Sequence, residues 1–112
     1  MTTGSVAREL ALWRRAILGT IRSGAPDLTT RQMAIMLTVY CTPAPHTVRG
    51  LAGELGVAKP VITRALDALG RLGFLKRRRD ETDRRSVLVE RTVAGAVYLS
   101  ELHDRLAAAL DT

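Results

Sequence analysis

A single cysteine, Cys41, is all the thiol that 112 residues carry, so no internal disulfide can form and a reducing compartment is the expectation. No apolar run approaches the roughly 18 residues that a membrane span requires. The first residues lack the basic-then-apolar order of a secretory signal. A cytoplasmic protein with no membrane partner is therefore expected. Histidine is almost as scarce. His46 and His103 stand alone, without a Cys or carboxylate at ligand spacing, which argues against a metal. No glycine-rich phosphate loop follows a predicted strand, and no nucleophile is paired with a base, so neither a cofactor nor enzymatic activity is expected. Internal repeats and low-complexity tracts are absent too.

What is present is basic charge, and its placement matters more than its amount. The formal charge is +6, with hydrophobic residues at 46% and charged residues at 25%, ordinary values for a globular chain. Between Lys59 and Arg91 lie ten of the seventeen Lys and Arg residues against five acids, so +5 of the +6 sits in that stretch. The length suits a single domain over residues 1–112. A local cationic excess on a folded domain points to phosphates, because neutralising them releases counterions from a duplex.

Val6, Leu10, Trp13, Ile17 and Ile21 recur at helical spacing and predict a first helix over residues 5–23. Thr29 with Gln32 forms a capping-box pattern, after which Met33, Met36, Leu37 and Tyr40 mark the buried stripe of a second helix that stops before Pro43. Thr47 is the next N-cap, with Val48, Leu51, Ala52 and Leu55 at i, i+3, i+4 and i+7. Gly56 follows at once, suited to the left-handed end of a helix, and another helix begins within three residues. That order is a helix-turn-helix.

Its second helix is expected from about Lys59 to Leu72, with Pro60 tolerated in the first turn and Ile62, Leu66 and Leu69 inside. Phe74 to Arg79 and Ser86 to Arg91 then read as two strands joined by a polar tip, and Thr92 caps a last helix over residues 93–110. The fold class is mainly α with a small β-hairpin.

A helix after such a turn enters the major groove of DNA with its first turns nearest the base edges. Lys59 suits the phosphate backbone, Thr63 a base or a thymine methyl, and Arg64 a guanine or a phosphate. Arg49 with Lys76, Arg77, Arg78 and Arg79 suits phosphates, which position a protein without reading sequence. Arg84 and Arg85 complete a basic hairpin fit to lie along phosphates or to enter a minor groove. Asp80 and Asp83 read as structural, accepting from turn amides or orienting Arg84 or Arg85. The plainer alternatives are a solvated helix face and a merely soluble turn.

Leu51-Ala52-Gly53-Glu54-Leu55-Gly56-Val57, then Ile62 to Leu69, then Leu72-Gly73-Phe74-Leu75, and finally Asp80-Glu81-Thr82-Asp83-Arg84-Arg85-Ser86 together resemble the winged helix-turn-helix of the MarR family of bacterial transcription regulators. The wing run, two Asp residues three apart with Arg-Arg-Ser close behind, is the most specific part. The resemblance covers about Leu28 to Leu99 and implies a recognition helix bearing Lys59, Thr63 and Arg64 in the major groove. It further implies that Arg85 approaches the adjacent minor groove, with Asp83 helping to hold it. At the start of that helix the chain has Ala58, Pro60 and Val61 where the family often has hydroxyl or acidic residues, which leaves more of any readout to Thr63 and Arg64.

In the family the first and last helices of two subunits interlace. Here that implies a homodimer through Leu10, Trp13 and Ile17 with Leu99, Leu102, Leu106 and Leu110, although a last helix shorter than usual weakens it. The alternative is that both seams pack on their own domain. Family members often sense a small phenolic ligand or an oxidant, so a small-molecule effector stays open, but no such site transfers residue by residue. Cys41, with apolar neighbours, reads first as a small buried hydrophobe and otherwise as a redox-sensing thiol. The function expected is sequence-specific binding of double-stranded DNA to repress or activate transcription. The alternative is a winged-helix module whose basic face meets an acidic protein.

Overall fold

A computed structural model describes residues 4–111, apart from the side chains of Ser5 and Val6, so Val6 of the first apolar stripe lies outside the described residues. The order is α1 (Ser5–Arg22), α2 (Thr30–Cys41), β1 (His46–Thr47), α3 (Val48–Leu55), α4 (Lys59–Arg71), β2 (Leu75–Arg79), β3 (Val87–Arg91) and α5 (Val93–Leu110). The three strands form one antiparallel sheet in the order β1-β3-β2. Only two strands were expected. β1 is two residues long, too short to show a period, and it pairs His46 with Val89 and Thr47 with Leu88 just before Thr47 caps α3.

The packing divides into two compact units, Leu28–Ala96 and Met1–Asp27 with Val97–Thr112. In the first, Ile35, Met36, Val39, Leu51, Ile62, Leu66 and Leu69 are fully buried. The capping box of α2 forms as expected, Thr29 Oγ1 accepting from Gln32 N–H at 3.1 Å and Gln32 Oε1 from Thr29 N–H at 2.9 Å. The stripe of α2 is rotated from the expected one, however. Ile35 and Val39 join Met36 inside, whereas Leu37 is exposed, because α2 is covered by α3, α4 and β3 on more than one side.

Gly56 adopts φ 68° and ψ 36°, and Val57 N–H returns to Ala52 C=O at 3.0 Å, which turns the chain directly into α4. Tyr40 then ties the far side together. Its hydroxyl donates to Phe74 C=O at 2.7 Å and accepts from Thr92 N–H at 2.9 Å, while Thr92 Oγ1 donates to Gly73 C=O and accepts from Gly95 N–H. Arg91 donates to Val39 and Thr42 carbonyls and lies 5.8 Å over the Tyr40 ring. The end of α2, the α4–β2 corner and the start of α5 are thus fixed to one another, and with them the sheet that follows α4.

In the second unit, Ala16 of α1 and Tyr98, Leu102 and Ala109 of α5 are buried. Arg15 donates to Ala109 C=O at 3.0 Å, Arg105 Nε to Thr20 Oγ1 at 3.0 Å, and Tyr98 OH to Pro26 C=O at 3.3 Å. Burial raises the Tyr98 phenol above its usual value.

Candidate nucleic-acid interface

Helical spacing brings Lys59 and Thr63 side by side along α4, while Ile62, Ala65, Leu66 and Leu69 of the same helix are buried. Thr47, by accepting from Gly50 N–H at 2.9 Å, fixes the first turn of α3 and leaves Arg49 exposed there. These two helix starts and the hairpin enclose a cleft of about 270 Å³ lined by Arg49, Lys59, Thr63, Arg77 and Arg85. Five residues predicted from separate parts of the sequence therefore meet in one place, four of them cationic. No acid lines the cleft.

The run Lys76 to Arg79 does not act as one surface. Strand residues alternate between faces. Arg77 is paired with buried Val89 and reaches back to Asp67 of α4, Nη2 to Oδ1 at 2.6 Å. Arg78, paired with Leu88, turns to the other face and bonds Glu90 at 3.0 Å. That contact holds the Glu90 carboxyl below its ordinary value and raises Arg78. The expectation that all four basic residues line up along phosphates is corrected to two on each face, with Arg77 on the side of α4 and Arg78 tied to Glu90. Arg79 donates to Arg84 C=O across the hairpin end.

The wing tip has the expected internal bonds. Asp80 Oδ1 accepts from Thr82 N–H at 3.0 Å and from Thr82 Oγ1 at 2.8 Å, and these bonds lower its pKa from the ordinary value. Asp83 accepts from Arg85 N–H and from Ser86 Oγ, each at 3.2 Å, and its carboxylate lies 3.7 Å from Arg85 Nε. Arg85 otherwise projects into solvent, its side chain 92% exposed. Arg84 is exposed beside it.

Arg64 is placed differently from its neighbour Thr63. It lines a second cleft on the other flank of α4 with Val61 and Ala65 and with Thr29, Arg31 and Gln32 from the start of α2. Arg31 escaped sequence reasoning, since an isolated arginine in the first turn of a helix carries no pattern of its own.

The apolar seams divide as well. Leu10, Trp13, Ile17 and Ile21 remain 48%, 48%, 40% and 61% exposed, so the stripe of α1 is not consumed by its own chain. On α5, Leu110 is exposed and Leu99 and Leu106 are half-buried. Leu102 is 7% exposed, which corrects its assignment to a dimer seam: Tyr98, Leu102 and Ala109 already face inward. Cys41 is exposed rather than buried, because it ends α2 where the chain leaves for the Pro43–Pro45 loop. Among the described residues no group of His, Cys, Asp or Glu could hold a metal ion, and no helix is long and apolar enough to cross a membrane.

Comparison with known proteins bears on this arrangement. The model of the MarR family matches residues 28–87. No curated protein sequence matches the chain. Among solved structures, the transcriptional regulator Tm0710 from Thermotoga maritima is 24% identical with a TM-score of 0.77, over 95% of this chain and 73% of that one. MepR from S. aureus, as a glycine-to-lysine mutant, is 18% identical with a TM-score of 0.76, over 99% and 80%. A cysteine-to-serine mutant of MarR from E. coli, complexed with operator DNA, is 26% identical with a TM-score of 0.68, over 89% and 66%.

Proposed function

The chain belongs to the MarR family, whose winged-helix fold is that of a DNA-binding regulator, and from that premise we propose that it is a sequence-specific, double-stranded DNA-binding transcription regulator acting as a homodimer on a pseudo-palindromic promoter site. It acts by binding and not by chemistry. The observation that carries this reading is the cleft in which Arg49, Lys59, Thr63, Arg77 and Arg85 converge from two helix starts and the wing. α4 enters the major groove by its first turns, where Thr63 meets base edges and Lys59 the backbone. Arg85, oriented by Asp83, reaches the adjacent minor groove. Arg49 and Arg77 take phosphates and set the register. That an E. coli MarR of similar fold was solved complexed with operator DNA supports DNA as the partner.

The exposed stripe of Leu10, Trp13 and Ile17 supplies the surface for a second copy. Two-fold symmetry then repeats the recognition helix after roughly one turn of DNA, 34–36 Å. Selection of bound fragments from genomic DNA tests the reading. An inverted repeat with half-sites one turn apart is the expected product. Recovery of fragments with no shared sequence, with affinity falling steeply with salt, would replace it with a basic interaction module.

A further inference from the structure

The second cleft beside α4 has no place in that contact set, yet its charge is unbalanced. Arg31 and Arg64 are both exposed, both line it, and no acidic residue does. Neither guanidinium has an ion-pair partner among the described residues, in contrast to Arg77, Arg78 and Arg85. Two like charges sharing an uncompensated cleft repel each other, and an anion between them converts the repulsion into attraction. Guanidinium forks fit phosphate oxygens in particular, often through paired hydrogen bonds.

The position of the cleft says which anion. On α4 the side chain of Arg64 is turned about 100° from Thr63 and about 140° from Lys59 around the helix axis. One flank of α4 therefore carries the wing-side cleft and the other carries Arg64, with Arg31 of α2 across from it. A helix seated in a major groove about 12 Å wide has a sugar–phosphate strand along each flank. We propose that Arg31 and Arg64 form a phosphate clamp for the strand opposite the wing, so that α4 is gripped between two backbones and Arg64 positions the protein instead of reading a base. The inference rests on the DNA-binding reading above. It adds Arg31 to the contact set and reassigns Arg64.

The clamp predicts a pattern that base readout does not. Affinity is measured against salt for the intact protein on its selected site and on a random duplex of the same length. Arg31→Ala and Arg64→Ala should each lower the slope of log affinity against log salt by about 0.9. Each should weaken the selected and the random duplex by the same factor, leaving the preferred base at every position unchanged. Arg31→Lys, which keeps the charge, should restore the slope. An unaltered slope in Arg31→Ala overturns the clamp, and so does a loss in Arg64→Ala confined to one base pair. Lys59→Ala separates this from the larger reading: if it lowers the slope while Arg31→Ala does not, only the clamp is lost. If the unsubstituted protein binds no duplex at all, both are lost.

Discussion

Gly95 offers a test in which two physical effects give opposite signs. It lies in the first turn of α5, and alanine is favoured over glycine in helices by about 1 kcal/mol, so propensity alone makes Gly95→Ala stabilising. The surroundings argue the reverse. A Cβ there would fall onto the Tyr40 hydroxyl and the Phe74 carbonyl oxygen, and within 2.8 Å of Tyr40 Cζ. Neither obstacle is a free side-chain end. The hydroxyl is held by Phe74 C=O and Thr92 N–H, and the carbonyl is backbone at the α4–β2 corner. Relief requires Tyr40 to swing out, which leaves a donor and an acceptor unpaired at about 1–3 kcal/mol each, or requires the first turn of α5 to shift. After the propensity gain is subtracted, the expected cost is about 1–5 kcal/mol, or a fall in Tm on the order of 5–20 °C for a domain of this size. Urea unfolding of the variant, of Tyr40→Phe and of the double variant measures it. Removing the hydroxyl takes away the nearest of the three clashing atoms, so the double variant should cost less than the sum of the singles. A Gly95→Ala protein as stable as the parent, or more so, would refute the packing argument.

Two further outcomes follow from the same geometry. Ile17→Glu, on the exposed stripe of α1, should shift sedimentation at micromolar concentration from dimer to monomer and leave the helical content unchanged; an unshifted dimer removes that stripe from the interface. At the wing, Asp80 and Glu90 have pKa values lowered from the ordinary 3.8 and 4.5, so their bonds stabilise the folded wing above those values and are lost as pH falls through the lower ones. Amide exchange at Thr82 should therefore stay constant from neutral pH down to about pH 4, once corrected for the intrinsic exchange rate, and quicken below it; a transition near pH 6 would contradict the assignment.

The parts of this molecule that were legible in the sequence are those governed by local rules. Thr29 with Gln32 declared the start of α2, Gly56 the turn, and Asp80 and Asp83 the bonds of the wing tip, because each depends on residues at most five apart. What was not legible depends on packing between elements. The burial of Ile35 and Val39 in place of Leu37 follows from which helices cover α2, and which face each of Lys76 to Arg79 takes follows from the pairing with β3. β1 exists by virtue of its partner alone. The separation of Arg64 from Thr63 lies between these cases. Helical periodicity implies the angle, but only the position of α2 shows that Arg31 stands on that side.

The charge also divides along the two compact units, which the whole-chain value conceals. Residues 28–96 hold twelve Lys and Arg against six Asp and Glu, a net +6, whereas the remaining residues hold five against five. The unit that carries the helix-turn-helix and wing thus has the full attraction for a polyanion. The unit that exposes Leu10, Trp13, Ile17 and Ile21 has no net charge. If the excess were spread evenly, bringing two copies together through α1 would oppose like charges, and DNA affinity and self-association would respond to salt in opposite directions. With the excess confined to one unit, added salt should weaken the grip on phosphates and leave the proposed apolar contact between copies nearly unaffected. The proposed dimer should therefore persist at salt concentrations where the duplex is released, and sedimentation and DNA binding measured at the same ionic strengths check it.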